Sequence, residues 1–273
     1  MRESINYLTK THLFICAICG IQMYDSFSLL DKTLDYTYLF FCMAGVLFVY
    51  NLHRELILQK TPTHQASTNY FDWDIKNKIL RRVTIATAGI YLLFSISKLP
   101  LLQTQLLFST ALFSMIYLLP KSFVRKNLFA KVIVLCFSWW MVIAVIPILT
   151  TTTLSIKNVL LLIDKLILLF AIGFLFQHKD LAKDIETKEL DYTNTHLPFN
   201  ISLLLLLFGM VFTTLLYAIS TINETFFYCT LLQFLIAIPL FYVTKKEKSE
   251  NYYLLFVDGV LLLKPLLIVE FSK

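Results

Sequence analysis

Nine long apolar runs divide the sequence, at residues 13–30, 36–52, 83–99, 101–119, 132–149, 159–176, 199–220, 225–243 and 252–269, with short polar connections between them. A helix crosses the hydrocarbon core of a bilayer with about 20 mostly apolar residues, within a range of about 17–25. Spanning strands of a barrel alternate apolar and polar residues over about ten positions. These runs are continuously apolar, so helices are expected, which satisfy their own backbone polar groups where no water is present. The expected fold class is therefore an all-α integral membrane protein, with nine transmembrane helices in a single polytopic domain covering residues 1–273. No small-residue cleavage pattern follows the first run, which is expected to remain as the first helix.

Composition removes several function classes. The chain of 273 residues is 58% hydrophobic and 15% charged, against roughly 45–50% and 25% in soluble domains. Its 6 glycines form neither a phosphate loop nor a dinucleotide fingerprint. The 5 cysteines all lie in apolar stretches, where a thiol packs as a small hydrophobe. The Cys16-x-x-Cys19 pair has no second pair with which to complete a zinc site.

Charge then orients the bundle, because Lys and Arg are retained on the cytoplasmic side. Alternate connections carry Arg2 and Lys10; Arg54, Lys60, Lys76, Lys78, Arg81 and Arg82; Lys121, Arg125, Lys126 and Lys131; Lys179, Lys183 and Lys188; and Lys245, Lys246 and Lys248. Only Lys32, Lys98, Lys157, Lys165, Lys264 and Lys273 fall elsewhere. This alternation puts the N-terminus in the cytoplasm and the C-terminus outside, and the bacterial inner membrane is the expected location. The net charge of +6 reads as topology rather than as a nucleic-acid surface. The two longest connections, 53–82 and 177–198, both face the cytoplasm in this arrangement, and loops held by a rigid scaffold are where function concentrates.

Those connections follow two polar helix ends. If the second helix continues past its apolar run, Asn51, Glu55 and Gln59 stack on one face at i, i+4 spacing, and Asp180 and Asp184 do the same beyond the sixth. Carboxylates on two facing helices suit Mg²⁺, which is commonly held by one or two carboxylates plus substrate phosphates. Arg54, Lys179 and Lys183 beside them offer charge to a diphosphate. Each end taken alone also fits an ordinary solvated helix terminus; the pairing of two on one side is what points to chemistry. Asp72 and Asp74 in the long connection are either further ligands or solvated loop carboxylates.

With these residues in view, the chain resembles the UbiA-type intramembrane prenyltransferases, and more closely a branch whose first Asp-rich motif is degenerate. Tyr50-Asn51-Leu52-His53-Arg54 matches that branch at the end of helix two. Phe176-Gln177-His178-Lys179-Asp180 with Asp184 matches it at the end of helix six, Gln177 standing for an Asp and Lys179 for an Arg. Tyr117-Leu118-Leu119-Pro120, Arg125, Lys131, Trp139-Trp140 and Pro147 follow the helix four to five pattern, and Thr195-His196-Leu197-Pro198 and Asp258-Gly259 also fit. Against the common first motif Asn51 is kept, Leu52 and Gln59 replace Asp, and Glu55 replaces Asp conservatively.

The resemblance implies a UbiA-like bundle that transfers an isoprenyl group from a prenyl diphosphate to a lipophilic acceptor with Mg²⁺ as cofactor. By the same resemblance Asn51, Glu55, Asp180 and Asp184 hold the metal. Arg54, Lys179, Lys183, Arg125 and Lys131 hold the diphosphate, and Tyr117, Trp139 and Trp140 line the prenyl cavity; these three and Tyr91, read as residues alone, either line such a cavity or pack and sit in the interface belt as most aromatics of a membrane bundle do. The implied partners are the prenyl diphosphate, the acceptor and the lipid bilayer. Two alternatives stand beside this reading. One is a catalytically degenerate member that binds isoprenoid lipids or acts as a scaffold, suggested by the missing Asp residues. The other is a small membrane transporter or flippase, suggested by charges inside the apolar runs: Asp25, Asp164, Lys165, Asp258 and Lys264. Asp25 and Lys264 lie toward the outer side, where snorkelling into the headgroups is expected for each.

Overall fold

A computed structural model of the chain describes residues 7–29, 32–60, 72–118, 124, 127–151, 155–186, 197–219, 222, 224–244 and 252–271. Among the described residues every regular element is helical. In chain order they are α1 (Leu13–Leu29), α2 (Tyr36–Lys60), the short α3 (Asp72–Lys76), α4 (Lys78–Ser95) and α5 (Leu101–Leu118). Next come α6 (Leu128–Trp140), a π-turn (Met141–Val145), α7 (Ile146–Thr151), α8 (Ile156–Glu186), α9 (Leu197–Ala218) and α10 (Glu224–Val243). A second π-turn (Tyr253–Val257) leads into α11 (Val260–Phe271).

Each of the nine apolar runs contains helix among its described residues, and six helical stretches are long and apolar enough to cross a membrane: Tyr36–Leu56, Lys78–Lys98, Leu128–Thr150, Asn158–His178, Leu197–Ala218 and Glu224–Val243. Leu13–Ser28 and Leu101–Ile116 are apolar but shorter. Several helices exceed their apolar runs. The α2 helix continues to Lys60 and α8 to Glu186, while α4 starts at Lys78, five residues before its apolar run, on a charged turn that carries Arg81 and Arg82. Asn127 starts α6, its side chain accepting the Ala130 N–H at 3.0 Å.

The α8 helix is the centre of the bundle, packed along α6 on one side and α9 on the other. α10 joins α9 to α11, α11 returns to α1, and α1 and α4 both pack on α2. Two of these contacts depend on glycine. A Cβ on Gly173 of α8 would stand 2.4 Å from Cys136 Sγ of α6, and one on Gly209 of α9 would stand 2.5 Å from the Phe234 ring of α10. The absent side chains let these helices approach closely, as in other membrane bundles.

Proline explains much of the buried polarity. Pro147 has no N–H for the carbonyls one turn back. Tyr38 Oη of α2 donates to Val142 O at 2.7 Å and Ser26 Oγ of α1 to Ile143 O at 2.5 Å. Pro265 likewise deprives Leu261 O, which accepts Gln22 Nε2 of α1, and Gln233 Nε2 of α10 donates to the adjacent Val260 O at 2.7 Å. Buried side chains from neighbouring helices thus replace the lost backbone donors.

Asp25, Asp164, Lys165 and Lys264, inside the apolar runs, are buried and paired, which corrects the expectation that Asp25 and Lys264 snorkel. Asp25 is 2% and Lys165 8% exposed, and the ammonium of Lys165 lies 2.7 Å from Asp25 Oδ2. Lys165 also donates to Ser26 Oγ at 2.7 Å and Gln22 O at 3.2 Å. Asp164 accepts Thr213 Oγ1 at 2.9 Å and faces Lys264 Nζ at 3.7 Å, with that ammonium 3.7 Å above the Phe226 ring. Asp164 and Lys165 point apart on α8 and meet different helices, as adjacent positions about 100° apart must.

Candidate functional site

A cavity of about 330 Å³ lies among α2, α6 and α8, completed by the residues before α1 and by Asp258 and Leu261. That volume is at the low end of the range of about 300–1,000 Å³ typical of small-molecule sites. Its body is apolar, with Phe14, Val49, Val134, Leu169 and Ile172 in the wall and Trp139 beside Tyr50. The Trp139 indole N–H donates to Tyr50 Oη at 3.2 Å, with the rings edge to face at 6.5 Å. Four basic side chains line the same space: Lys10, His12, His53 and Arg54. They come from the turn before α1 and from the last turns of α2, so the cavity has an apolar body and a basic end.

The turn before α1 is held over α2 by specific contacts. His12 has φ 62°, a left-handed conformation uncommon outside glycine, and it reverses the chain between a short helical turn and α1. The His12 ring lies 5.4 Å from that of Tyr50. Asn51, 2% exposed, donates from Nδ2 to Leu47 O at 2.8 Å and to Thr11 O at 3.4 Å, tying α2 to that turn.

Glu55 is committed elsewhere. Its Oε2 accepts from Arg81 Nε at 2.9 Å and Nη2 at 2.5 Å, and its Oε1 from Arg82 Nε at 2.9 Å and Nη2 at 2.8 Å. The Glu55 side chain is 9% exposed, Arg81 3% and Arg82 54%. Each carboxylate oxygen therefore faces one whole guanidinium edge. A divalent cation at Glu55 would have to displace two positive groups, so this carboxylate does not fit the metal-ligand role the resemblance implies. Neither Asn51 nor Glu55 lines the cavity, and among the described residues no group of three or more His, Cys, Asp or Glu could hold a metal ion.

The other expected residues divide. Arg54 and Trp139 line the cavity. Trp140 does not; one position further round the helix, its indole N–H donates to Leu162 O at 2.8 Å, so its role as a cavity wall is corrected. Tyr91 is 40% exposed and also stands outside the lining. Lys131 is 5% exposed in the first turn of α6, again away from the lining. Arg125 and the side chains of Tyr117, Lys179, Lys183, Asp180 and Asp184 lie outside the described residues, as do those of Asp72 and Asp74. Gln177, the neutral residue at the end of helix six, lines the cavity at 3% exposure, and its Oε1 has no hydrogen-bond partner. Asp258 is the one acidic residue among the described residues of the lining.

Residues that sequence reasoning missed are Lys10, His12, Ser114 and Ser138, all in the lining. Ser114 Oγ donates to Ser138 Oγ at 2.8 Å, joining α5 to α6 at the cavity. Lys10 and His12 sit just before an apolar run, where charge reads as topology, and only the reversal at His12 turns them inward. No family model, curated protein or solved structure matches the chain, so the site is read from its own residues and geometry.

Proposed function

We propose that this chain is an intramembrane prenyltransferase of the UbiA type, moving an isoprenyl group from a prenyl diphosphate to a lipophilic acceptor. In this reading nine helices span the bilayer, with the end at which α2 and α8 run out facing the cytoplasm. The observation that carries it is the cavity, whose apolar, aromatic body adjoins a cluster of Lys10, His12, His53 and Arg54. An isoprenyl diphosphate has the same two-part character: an apolar tail joined to a compact polyanion.

The chemistry follows from that pairing. Heterolysis of the allylic C–O bond leaves the electron pair on the diphosphate, and cations at the basic end stabilise the charge that develops there. Tyr50 and Trp139 line the cavity, and aromatic rings beside an allylic cation stabilise it through their π-systems. The apolar wall excludes water until an acceptor supplies an electron pair, forms the new bond and loses a proton. A catalytically degenerate isoprenoid binder is favoured over an enzyme by one observation, the engagement of Glu55 with two arginines. Four of the five charges that motivate the transporter reading stand in buried pairs, Asp25 with Lys165 and Asp164 with Lys264.

Purified full-length protein in lipid nanodiscs, given labelled allylic diphosphates of several lengths and a quinone or phenol acceptor, is expected to release diphosphate, and Arg54→Ala to suppress that release. Tight binding without release identifies the degenerate binder. Absence of both binding and release refutes the proposal.

A further inference from the structure

We infer, resting on the prenyl-transfer reading of this cavity, that Gln177 selects the acceptor: its Oε1 receives an O–H or N–H of the bound molecule, so a hydroxylated acceptor is held more tightly than its ether. On α8 the lining residues Leu169, Ile172, Gly173, Phe176 and Gln177 recur at i, i+3, i+4, i+7 and i+8, the stripe that a helix presents to one side. That stripe is apolar until its last described member, which is an amide. Gln177 is 3% exposed and its Oε1 has no hydrogen-bond partner.

Polar groups elsewhere on the wall are closed on protein partners. Ser114 Oγ donates to Ser138 Oγ at 2.8 Å, and Ser138 Oγ to Val134 O at 2.7 Å. The Cys136 thiol donates to Leu169 O at 3.2 Å, and the Trp139 indole N–H to Tyr50 Oη at 3.2 Å. Gln177 Oε1 differs from all of these. A buried acceptor without a partner is unfavourable, and a ligand that supplies the missing hydrogen recovers the loss. The terminal torsion of a glutamine is soft, so the amide turns to meet a donor at little cost. The chemistry of the atom then decides which part of a ligand it suits. An amide oxygen offers only lone pairs, and so does an ionised phosphate oxygen, so the diphosphate cannot satisfy Oε1 whereas an acceptor hydroxyl can. Sites built to hydrogen-bond a hydroxyl discriminate strongly against an analogue that leaves the buried polar group unpaired.

The test is a cycle on full-length protein in nanodiscs, in which wild type and Gln177→Met are each titrated with 2-farnesylphenol and with its methyl ether. Wild type is expected to bind the phenol roughly tenfold or more tightly than the ether, and Gln177→Met to bind the two within about threefold. The extra methyl of the ether is common to both proteins and cancels in the cycle. Equal affinities in wild type, as for an oxygen satisfied by trapped water, overturn the inference without recourse to any variant. A preference of the same size in both proteins overturns it too, because the hydroxyl is then recognised elsewhere. Farnesyl S-thiolodiphosphate, an analogue slow to ionise, supplies the remaining arm. If Gln177→Met weakens its binding and leaves the phenol–ether ratio unchanged, the amide belongs to the diphosphate and the inference fails. In each of these failures, binding of the thiolodiphosphate by wild type leaves the isoprenoid-diphosphate reading standing. No binding of any of the three molecules overturns both.

Discussion

Replacing Asp25 with Asn should destabilise the bundle far more than replacing Asp25 and Lys165 together by uncharged residues. At 2.7 Å and an effective dielectric constant of about 20, the attraction between the two groups is about 6 kcal/mol before desolvation is subtracted. Lys165 is 8% exposed within an apolar helix, so Asp25→Asn leaves an ammonium that water cannot reach. Breaking one side of a buried pair costs about 3–5 kcal/mol, whereas replacing the whole pair by apolar groups is often neutral or stabilising. At about 2–4 °C per kcal/mol, the single variant should lower the thermal midpoint by roughly 6–20 °C. The Asp25→Leu/Lys165→Met double variant should recover most of that loss. The assay is the loss of the monodisperse peak on gel filtration after heating in mild detergent, read for wild type, both single variants and the double variant. Equal losses for the single and double variants, or a single variant within about 1 °C of wild type, would refute the argument that the pair is buried and self-compensating.

Other perturbations test separate parts of the structure by the same heating assay. Gln22→Leu should cost about 1–3 kcal/mol by orphaning Leu261 O, and Pro265→Ala in that background should restore a backbone donor and return part of it. Gly173→Ala forces a methyl toward Cys136 Sγ and should cost about 1–3 kcal/mol, relieved when Cys136→Ala makes room. Glu55→Gln leaves Arg81 buried without its anion and should cost about 3–5 kcal/mol, whereas a solvated helix end would lose less than about 0.5 kcal/mol. Trp139→Ala removes a cavity wall, so it should weaken binding of the prenyl thiolodiphosphate more than binding of inorganic pyrophosphate, compared by displacement titration.

The helices were legible because a bilayer leaves the backbone few choices, and the continuation of α2 past its apolar run was legible in the spacing of Asn51, Glu55 and Gln59. What those side chains do was not. Glu55 reads as a metal ligand until Arg81 and Arg82, which the charge count assigns to topology, close on it from the next helix. Asp25 and Lys264 read as snorkelling groups because their partners Lys165 and Asp164 lie far away along the chain. Gln22, Gln233 and Ser26 give no sequence signal at all: Gln22 and Ser26 meet carbonyls released by prolines on other helices, Gln233 meets the carbonyl next to one of these, and only packing brings donor and acceptor together. The neutral residue at Gln177 was visible, but its exposure to a cavity depends on the angle at which α8 faces α2 and α6.

That angle is set at a distance. Lys165 and Gln177 belong to one uninterrupted α-helix and stand about 18 Å apart along its axis. A helix transmits rotation along its length, so the grip of Asp25 and Ser26 on Lys165, and of Thr213 and Lys264 on Asp164, acts as a torsional anchor for the cavity wall. Turning Gln177 out of the cavity by rotating α8 means tearing two ammonium groups from their carboxylates in an apolar layer. The cavity wall therefore takes its orientation from the opposite half of the bundle, and an assay of ligand specificity should respond to substitutions there that touch no ligand.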